Sequence, residues 1–141
     1  MSAKSVQFTL AAHIMAALGY RHGEEVSSAT LAESVSADHT FVRKSLSKLS
    51  IAGLVVTKRG KSGASMLARS PRQITLLDIY RASAAPQAFS IHSYPETKCP
   101  VSCHVKECMS ALLSRAQNSF ERSLAKTNLA DLVGQIRQKT R

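Results

Sequence analysis

Residues 43–61, RKSLSKLSIAGLVVTKRGK, join a basic helical pattern to a β-branched run through a glycine, and this junction decides the fold. Arg43, Lys44, Lys48, Lys58, Arg59 and Lys61 place six cations in the stretch with no acidic residue among them. Phe41, Val42, Leu46 and Leu49 repeat at helical spacing, which predicts a helix that buries them and ends at Gly53. Leu54-Val55-Val56-Thr57 then reads as a strand, Ser65-Met66-Leu67-Ala68 as its antiparallel partner, and Lys58 to Ala64 as a wing between them. A surface this basic gains affinity for phosphate backbones by releasing condensed counterions. An ordinary solvated face can carry the same charge, so the neighbouring elements decide between the two.

Upstream, Asp38 can cap the basic helix, and Ser36 with Ala37 turn the chain into it. Ser27 and Ser28 offer a cap for a shorter helix carrying Leu31, Ala32 and Val35. Two short helices joined so tightly read as helix-turn-helix. Before them, Val6, Leu10, Ile14, Met15 and Leu18 mark one face of a first helix over Val6 to Tyr20, with Gly23 as terminator. Downstream, Thr75 and Asp78 have capping-box spacing ahead of Leu76, Leu77, Ile79 and Tyr80, and Ala84-Ala85-Pro86 ends that helix.

Residues 87–98 are polar and aperiodic and read as a loop. From about Pro100, the positions Val101, Val105, Met109, Leu112, Leu113, Ala116, Phe120 and Leu124 form the stripe of a long amphipathic helix. A last helix, capped by Thr127 or Asn128, carries Leu129, Leu132, Val133 and Ile136. The expected fold is mainly α with a small β-wing: a winged helix-turn-helix followed by a long C-terminal dimerisation helix. Its divisions are a DNA-binding domain over 1–83, a loop over 84–99 leading to a sensor segment, and a cysteine-bearing dimerisation helix with the C-terminal helix over 100–141.

A chain of 141 residues, 44% hydrophobic, suffices for one folded domain with an appendage. Nineteen Lys and Arg against nine Asp and Glu give a net charge of +10, which favours polyanionic partners. No apolar run approaches the roughly 18 to 20 residues that span a bilayer, and no signal-peptide layout opens the chain, so a cytoplasmic protein without a membrane partner is expected. The nine acidic residues are scattered, and no Ser/His/Asp order or phosphate-cradling glycine loop stands out; an enzyme is not expected. Cys99, Cys103 and Cys108 fall in one ten-residue window, an odd and clustered set that suits thiol chemistry better than a disulfide framework.

The order of elements and several short runs resemble the Rrf-two family of bacterial winged-helix regulators. The runs are Phe8-Thr9-Leu10-Ala11 with His13-Ile14, Val26-Ser27-Ser28 before Leu31-Ala32, Val42-Arg43-Lys44 leading to Leu49, Ala52-Gly53-Leu54-Val55, Arg59-Gly60, Ile74 to Tyr80, and Cys99-Pro100-Val101. The resemblance implies a homodimer on double-stranded DNA at a palindromic operator, with recognition helices in successive major grooves and wings in the adjoining minor grooves. By position it places Asp38, His39, Thr40, Arg43 and Lys44 at or near the DNA, with Lys58, Arg59 and Lys61 in the wing. Arg59 is the candidate for a narrow, A·T-rich minor groove. Several cluster-binding members carry an acidic residue where Arg43 stands, so this chain's base preference differs from theirs.

Some members hold an iron–sulfur cluster through three cysteines in this region, which makes Cys99, Cys103 and Cys108 candidate ligands, with His92, His104 or a partner-chain group as the fourth. Those members space their cysteines more widely. If the helix starts at Pro100, Cys103 and Cys108 lie about 140° apart around its axis and do not converge. The favoured reading is direct sensing, with the Cys99 thiolate stabilised at a helix N-terminus beside Lys98 and Cys103 or Cys108 resolving its sulfenic acid. Zinc completed by His104 ranks below both, because paired two-ligand knuckles are absent. Taken alone, Cys108 reads as a small apolar helix residue. The expected function is a redox- or electrophile-responsive repressor. The alternatives are a cluster-binding regulator of the same fold, and a redox or metal-binding interaction protein that holds nucleic acid only non-specifically.

Overall fold

The computed structural model describes residues 6–58, 63–93 and 98–141. Helices α1 (Gln7–Tyr20), α2 (Ser28–Val35) and α3 (His39–Ile51) lead into strands β1 (Val55–Thr57) and β2 (Ser65–Leu67). A short 3-10 turn (Pro71–Gln73) and helices α4 (Leu76–Ala82), α5 (Pro100–Ala125) and α6 (Leu129–Lys139) complete the chain. The expected mainly helical winged architecture is what forms.

Local chemistry sets most boundaries. The Ser27 side chain accepts the Thr30 amide and opens α2, while Asp38 accepts the Thr40 amide at 3.0 Å and opens α3. Between these helices Ser36 takes the left-handed conformation (φ 57°), which makes the tight helix-turn-helix connection. Val42, Leu46 and Leu49 of α3 join Ala11, Ile14, Met15 and Leu18 of α1 and Leu31 and Ala32 of α2 in one buried cluster. Phe41 departs from expectation: it is 60% exposed. The buried stripe of α3 runs through Val42, and Phe41 stands one step round the helix, on the side of Ser45 and Lys48.

The strands pair antiparallel with Val55 opposite Leu67 and Thr57 opposite Ser65. Val26 and Ser65 exchange two further backbone hydrogen bonds of 2.8 Å, which tie the start of the second strand to the segment before α2. The base of the wing is closed by the Lys58 amide donating to the Ala64 carbonyl at 2.8 Å. Arg59, Gly60 and Lys61, expected at the wing tip, lie outside the described residues.

The capping box at Thr75 and Asp78 is present in both directions, each bond 3.0 Å. Tyr80 of α4 makes edge-to-face contacts with Phe8 of α1 and Phe120 of α5, both with ring centroids 5.3 Å apart. Gln117, the buried residue of α5, donates to the Tyr80 hydroxyl at 3.0 Å and accepts the Ala88 amide at 2.9 Å. This amide clamp fastens the C-terminal half of α5 and the loop after α4 to the winged core. Towards the other end of α5, Val101, Met109 and Leu112 are exposed, so this part of the predicted stripe has little cover among the described residues of one chain.

Helix α6 turns back. Its capping box, Asn128 with Asp131, is closed in both directions, and Leu129 and Val133 enter the same core as α1 to α3. Gly19 permits this approach, because a Cβ there would sit 2.9 Å from Val133 Cγ2. The Leu76 amide donates to the Thr127 carbonyl and the Leu129 amide to the Ile74 carbonyl, at 2.9 and 2.8 Å, stitching the starts of α4 and α6 together. In space, α6 lies with the residues of the first 83 positions.

Candidate nucleic-acid interface and cysteine segment

Capping by Asp38 fixes where α3 begins, and the buried stripe through Val42, Leu46 and Leu49 fixes which side it shows to solvent. That side carries Asp38, His39, Thr40, Arg43 and Lys44, all exposed, followed by Ser47, Ser50 and Ile51 further along. Arg43, Ser47, Ser50 and Ile51 line a cleft whose opposite wall is Thr57 and Gly63 of the wing hairpin. Helix and wing therefore present one continuous surface. Ser47, Ser50 and Ile51 were not singled out from the sequence; their i+4, i+7 and i+8 spacing from Arg43 was the available signal. Ile51 is 85% exposed, and an aliphatic side chain there suits a thymine methyl group.

The four described cations of residues 43–61 do not form one unopposed patch. Arg43 and Lys44 are exposed and make no ion pair among the described residues. Lys48 turns inward, its ammonium donating to the Ser83 carbonyl at 3.4 Å at the end of α4. Lys58 is salt-bridged to Glu25, which corrects the expectation that these charges meet no local neutralisation. Glu25 lies outside the stretch and reaches Lys58 because the Val26–Ser65 pairing brings its segment beside the hairpin. Arg59 and Lys61 are outside the described residues.

Cys99 is the N-cap of α5, with Pro100 in the first helical position. The Ser102 amide, the Ser102 hydroxyl and the Val101 amide, in that order of effect, hold the Cys99 thiol below its ordinary value of 9.0. The unpaired N–H groups of a helix start favour the anion in this way. A depressed value leaves thiolate present at lower pH than in an ordinary cysteine. In a Cys103→Ser/Cys108→Ser background, iodoacetamide alkylation of Cys99 should therefore reach half its maximal rate below pH 9.0, and Ser102→Ala should move that midpoint upward. A midpoint at or above the ordinary value would show that the helix start does not activate this thiol.

All three cysteines are exposed. Cys103 stands one turn from Cys99, its amide donating to the Cys99 carbonyl at 3.0 Å. Cys108 lies on the same continuous helix, five residues beyond Cys103, so the two sulfurs point about 140° apart. An unbroken helix spreads the three candidate cluster ligands around and along its axis. Within one chain the donors do not converge, and no group of three His, Cys, Asp or Glu side chains among the described residues could hold a metal. His104 is exposed on α5 and joins no such group. His13 of α1 shares a hydrogen bond of 3.2 Å with the Ser34 hydroxyl. No helix among the described residues is long and apolar enough to cross a membrane.

Comparison with known proteins agrees with this architecture. The family model Rrf2, described as an iron-dependent transcriptional regulator, matches residues 4–135. YwnA of Bacillus subtilis, named as an HTH-type transcriptional regulator, is 30% identical over 131 residues, covering 92% of this chain and 96% of that protein. The structure of CymR, described as the global cysteine regulator of B. subtilis, superposes with a TM-score of 0.69 at 25% identity, over 95% of this chain and 98% of that one. T. potens IscR shares the fold, with a TM-score of 0.70 at 24% identity over 96% of this chain and 88% of its own. These relatives are regulators rather than enzymes. With a family model spanning nearly its whole length, the chain belongs to the Rrf2 family of winged-helix transcriptional regulators.

Proposed function

We propose that the protein is a homodimeric repressor that binds a palindromic operator through α3 and the wing, and whose DNA affinity responds to oxidation at Cys99. The observation that carries this reading is the exposed face of α3, where Thr40, Arg43 and Lys44 stand clear of the core and Arg43 shares a cleft with the wing. Arginine at such a position suits a guanine edge, and Lys44 suits a phosphate. The uncovered stripe of Val101, Met109 and Leu112 supports dimerisation through α5, since a second copy would remove that surface from water.

For the signal, hydrogen peroxide would oxidise the Cys99 thiolate to a sulfenic acid, its O–O bond breaking to release hydroxide. Attack by the Cys103 thiolate would then form the disulfide and expel the sulfenic oxygen, which leaves as water once protonated. Cβ atoms one helical turn apart are separated by about 5–6 Å, whereas a disulfide holds them at about 3.5–4.5 Å. Closure therefore distorts the start of α5, the same helix proposed to set the spacing of the two recognition helices.

The test is affinity for the chain's own upstream region against random DNA of equal length, at about 150 mM salt, with reduced and peroxide-treated protein. A specific regulator holds its site roughly 10³-fold or more tighter than random sequence, and oxidation should reduce that advantage. Equal affinity for every sequence, lost together as salt rises, would instead identify a protein that binds nucleic acid by charge alone.

A further inference from the structure

On the outer side of α4, Leu54, Ala82 and Arg69 border one open cleft of about 270 Å³, and Leu77, Ala125 and Arg122 border another of about 330 Å³. Arg81 lines both, so the two form one groove that runs along α4 with three arginines beside an apolar floor.

The arginines are poorly engaged. Arg81 reaches Glu121 at 3.6 Å, a long contact, and its side chain stays 67% exposed. Arg122 donates to the Ser119 hydroxyl at 3.3 Å, and Arg69 makes no ion pair among the described residues. A guanidinium carries five N–H donors in a planar fork that matches a carboxylate, so most of this capacity faces water. The groove's own carboxylates are committed: Asp78 accepts the Thr75 amide in its capping box, and Glu121 accepts from Arg81 and, at 3.5 Å, from the Gln117 side chain.

Position keeps the groove open. At about 100° per residue, Asn118, Arg122 and Ala125 lie about 125° round α5 from Val101, Met109 and Leu112, so a second copy seated on that stripe faces away from them. This openness rests on the proposed dimer. The groove also shares no lining residue with the cleft between α3 and the wing, which leaves both surfaces usable at once.

Charge and shape choose the occupant. A nucleic-acid backbone carries phosphates at unbroken spacing and would meet Asp78 in one cleft and Glu121 in the other, whereas a peptide places carboxylates only where its sequence does and offers apolar side chains to Leu77 and Ala82. We propose that the groove along α4 docks an acidic segment of a partner protein, its carboxylates on Arg69, Arg81 and Arg122 and its aliphatic side chains on the floor beside them.

The full chain would be titrated by fluorescence anisotropy, at physiological ionic strength, with a labelled peptide of glutamate-glutamate-leucine repeats and with its glutamine counterpart. Saturable binding is expected, at least about tenfold tighter for the glutamate peptide, since each exposed arginine–carboxylate contact contributes up to about fivefold. Arg81→Glu/Arg122→Glu should remove that advantage. Arg43→Glu/Lys44→Glu changes the net charge equally on the proposed DNA face, more than a screening length away, and should weaken the peptide less than about threefold. Should the groove variant unfold, nitrogen-15 spectra of the unaltered chain should show saturable shifts at Leu77, Ala82 and Ala125. Equal losses in the two variants, equal affinities for the two peptides or no saturable shift would each overturn the inference. So would a groove variant that loses random-sequence DNA as strongly as the Arg43 and Lys44 variant, which would make the groove a nucleic-acid contact. Sedimentation of the same samples reports separately on the dimer: a monomeric chain defeats that reading, while the titration still decides the groove.

Discussion

Arg43→Ala should weaken operator binding by about 1–3 kcal/mol, roughly 5- to 150-fold, and should weaken binding to random DNA far less. The difference would arise because Arg43 is exposed where α3 meets the base of the wing, and no acidic side chain among the described residues engages it. A bidentate contact to a guanine is lost only on sequences that place the guanine there, so selectivity at that base pair should relax as affinity falls. Lys44→Ala serves as the contrast. As a phosphate contact it should lower affinity on all sequences alike and reduce the salt dependence by about one counterion. Fluorescence anisotropy on operator and scrambled duplexes at several salt concentrations separates the two patterns. An Arg43 variant that loses the same factor on every duplex would make Arg43 a backbone contact and move base reading to other residues of α3.

The second large effect lies far from the proposed DNA face. Leu129→Ala should destabilise the whole fold by about 2–5 kcal/mol, because Leu129 is fully buried and its loss leaves a cavity that helix packing closes only in part. For a chain of this length such a loss lowers the unfolding midpoint on the order of 10 °C. The expectation is a single transition shifted as a unit, seen equally by far-ultraviolet circular dichroism and by amide exchange in α1 and α3. If only residues after about 126 lost protection, α6 would be an independent appendage and its contacts with Gly19 and Ile74 would be incidental to the core.

These two residues mark what could and could not be foreseen. Arg43 was legible because a helix with one apolar stripe must show its remaining residues to water, and the stripe through Val42, Leu46 and Leu49 is visible in the spacing alone. Leu129 was legible as the apolar face of a helix, and Asn128 was one of two caps considered. The destination of that face was not legible. Periodicity says which side of a helix is apolar and is silent on whether a neighbouring copy, the preceding helix or α1 covers it.

Charge shows the same limit. Six cations without an acid between them suggested an unopposed patch, yet Glu25 meets Lys58 across the pairing of Val26 with Ser65, and Lys48 is drawn to a carbonyl 35 positions further on. The cysteine segment divides in a similar way. A Cys99 thiol held low by the amides of a helix start depends on Pro100 and the residues just after it and was foreseen, while Lys98, expected to act beside them, is not among the groups that lower it. Whether the helix ran unbroken past Cys108 was not legible, because Pro100 with the residues behind it allowed both a helix and a loop.

The amino-acid sequence by itself determined the winged helix-turn-helix, its capping residues, the exposed face of α3 and the long amphipathic α5, because each depends on neighbours within a turn or a hairpin. Only the tertiary structure decided that α6 closes the core beside Gly19, that Gln117 clamps α5 to Tyr80, that two of the predicted cations are engaged elsewhere and that an arginine-lined groove opens along α4. Those features join residues tens of positions apart. Their energies depend on which surfaces meet in three dimensions, which local periodicity does not specify.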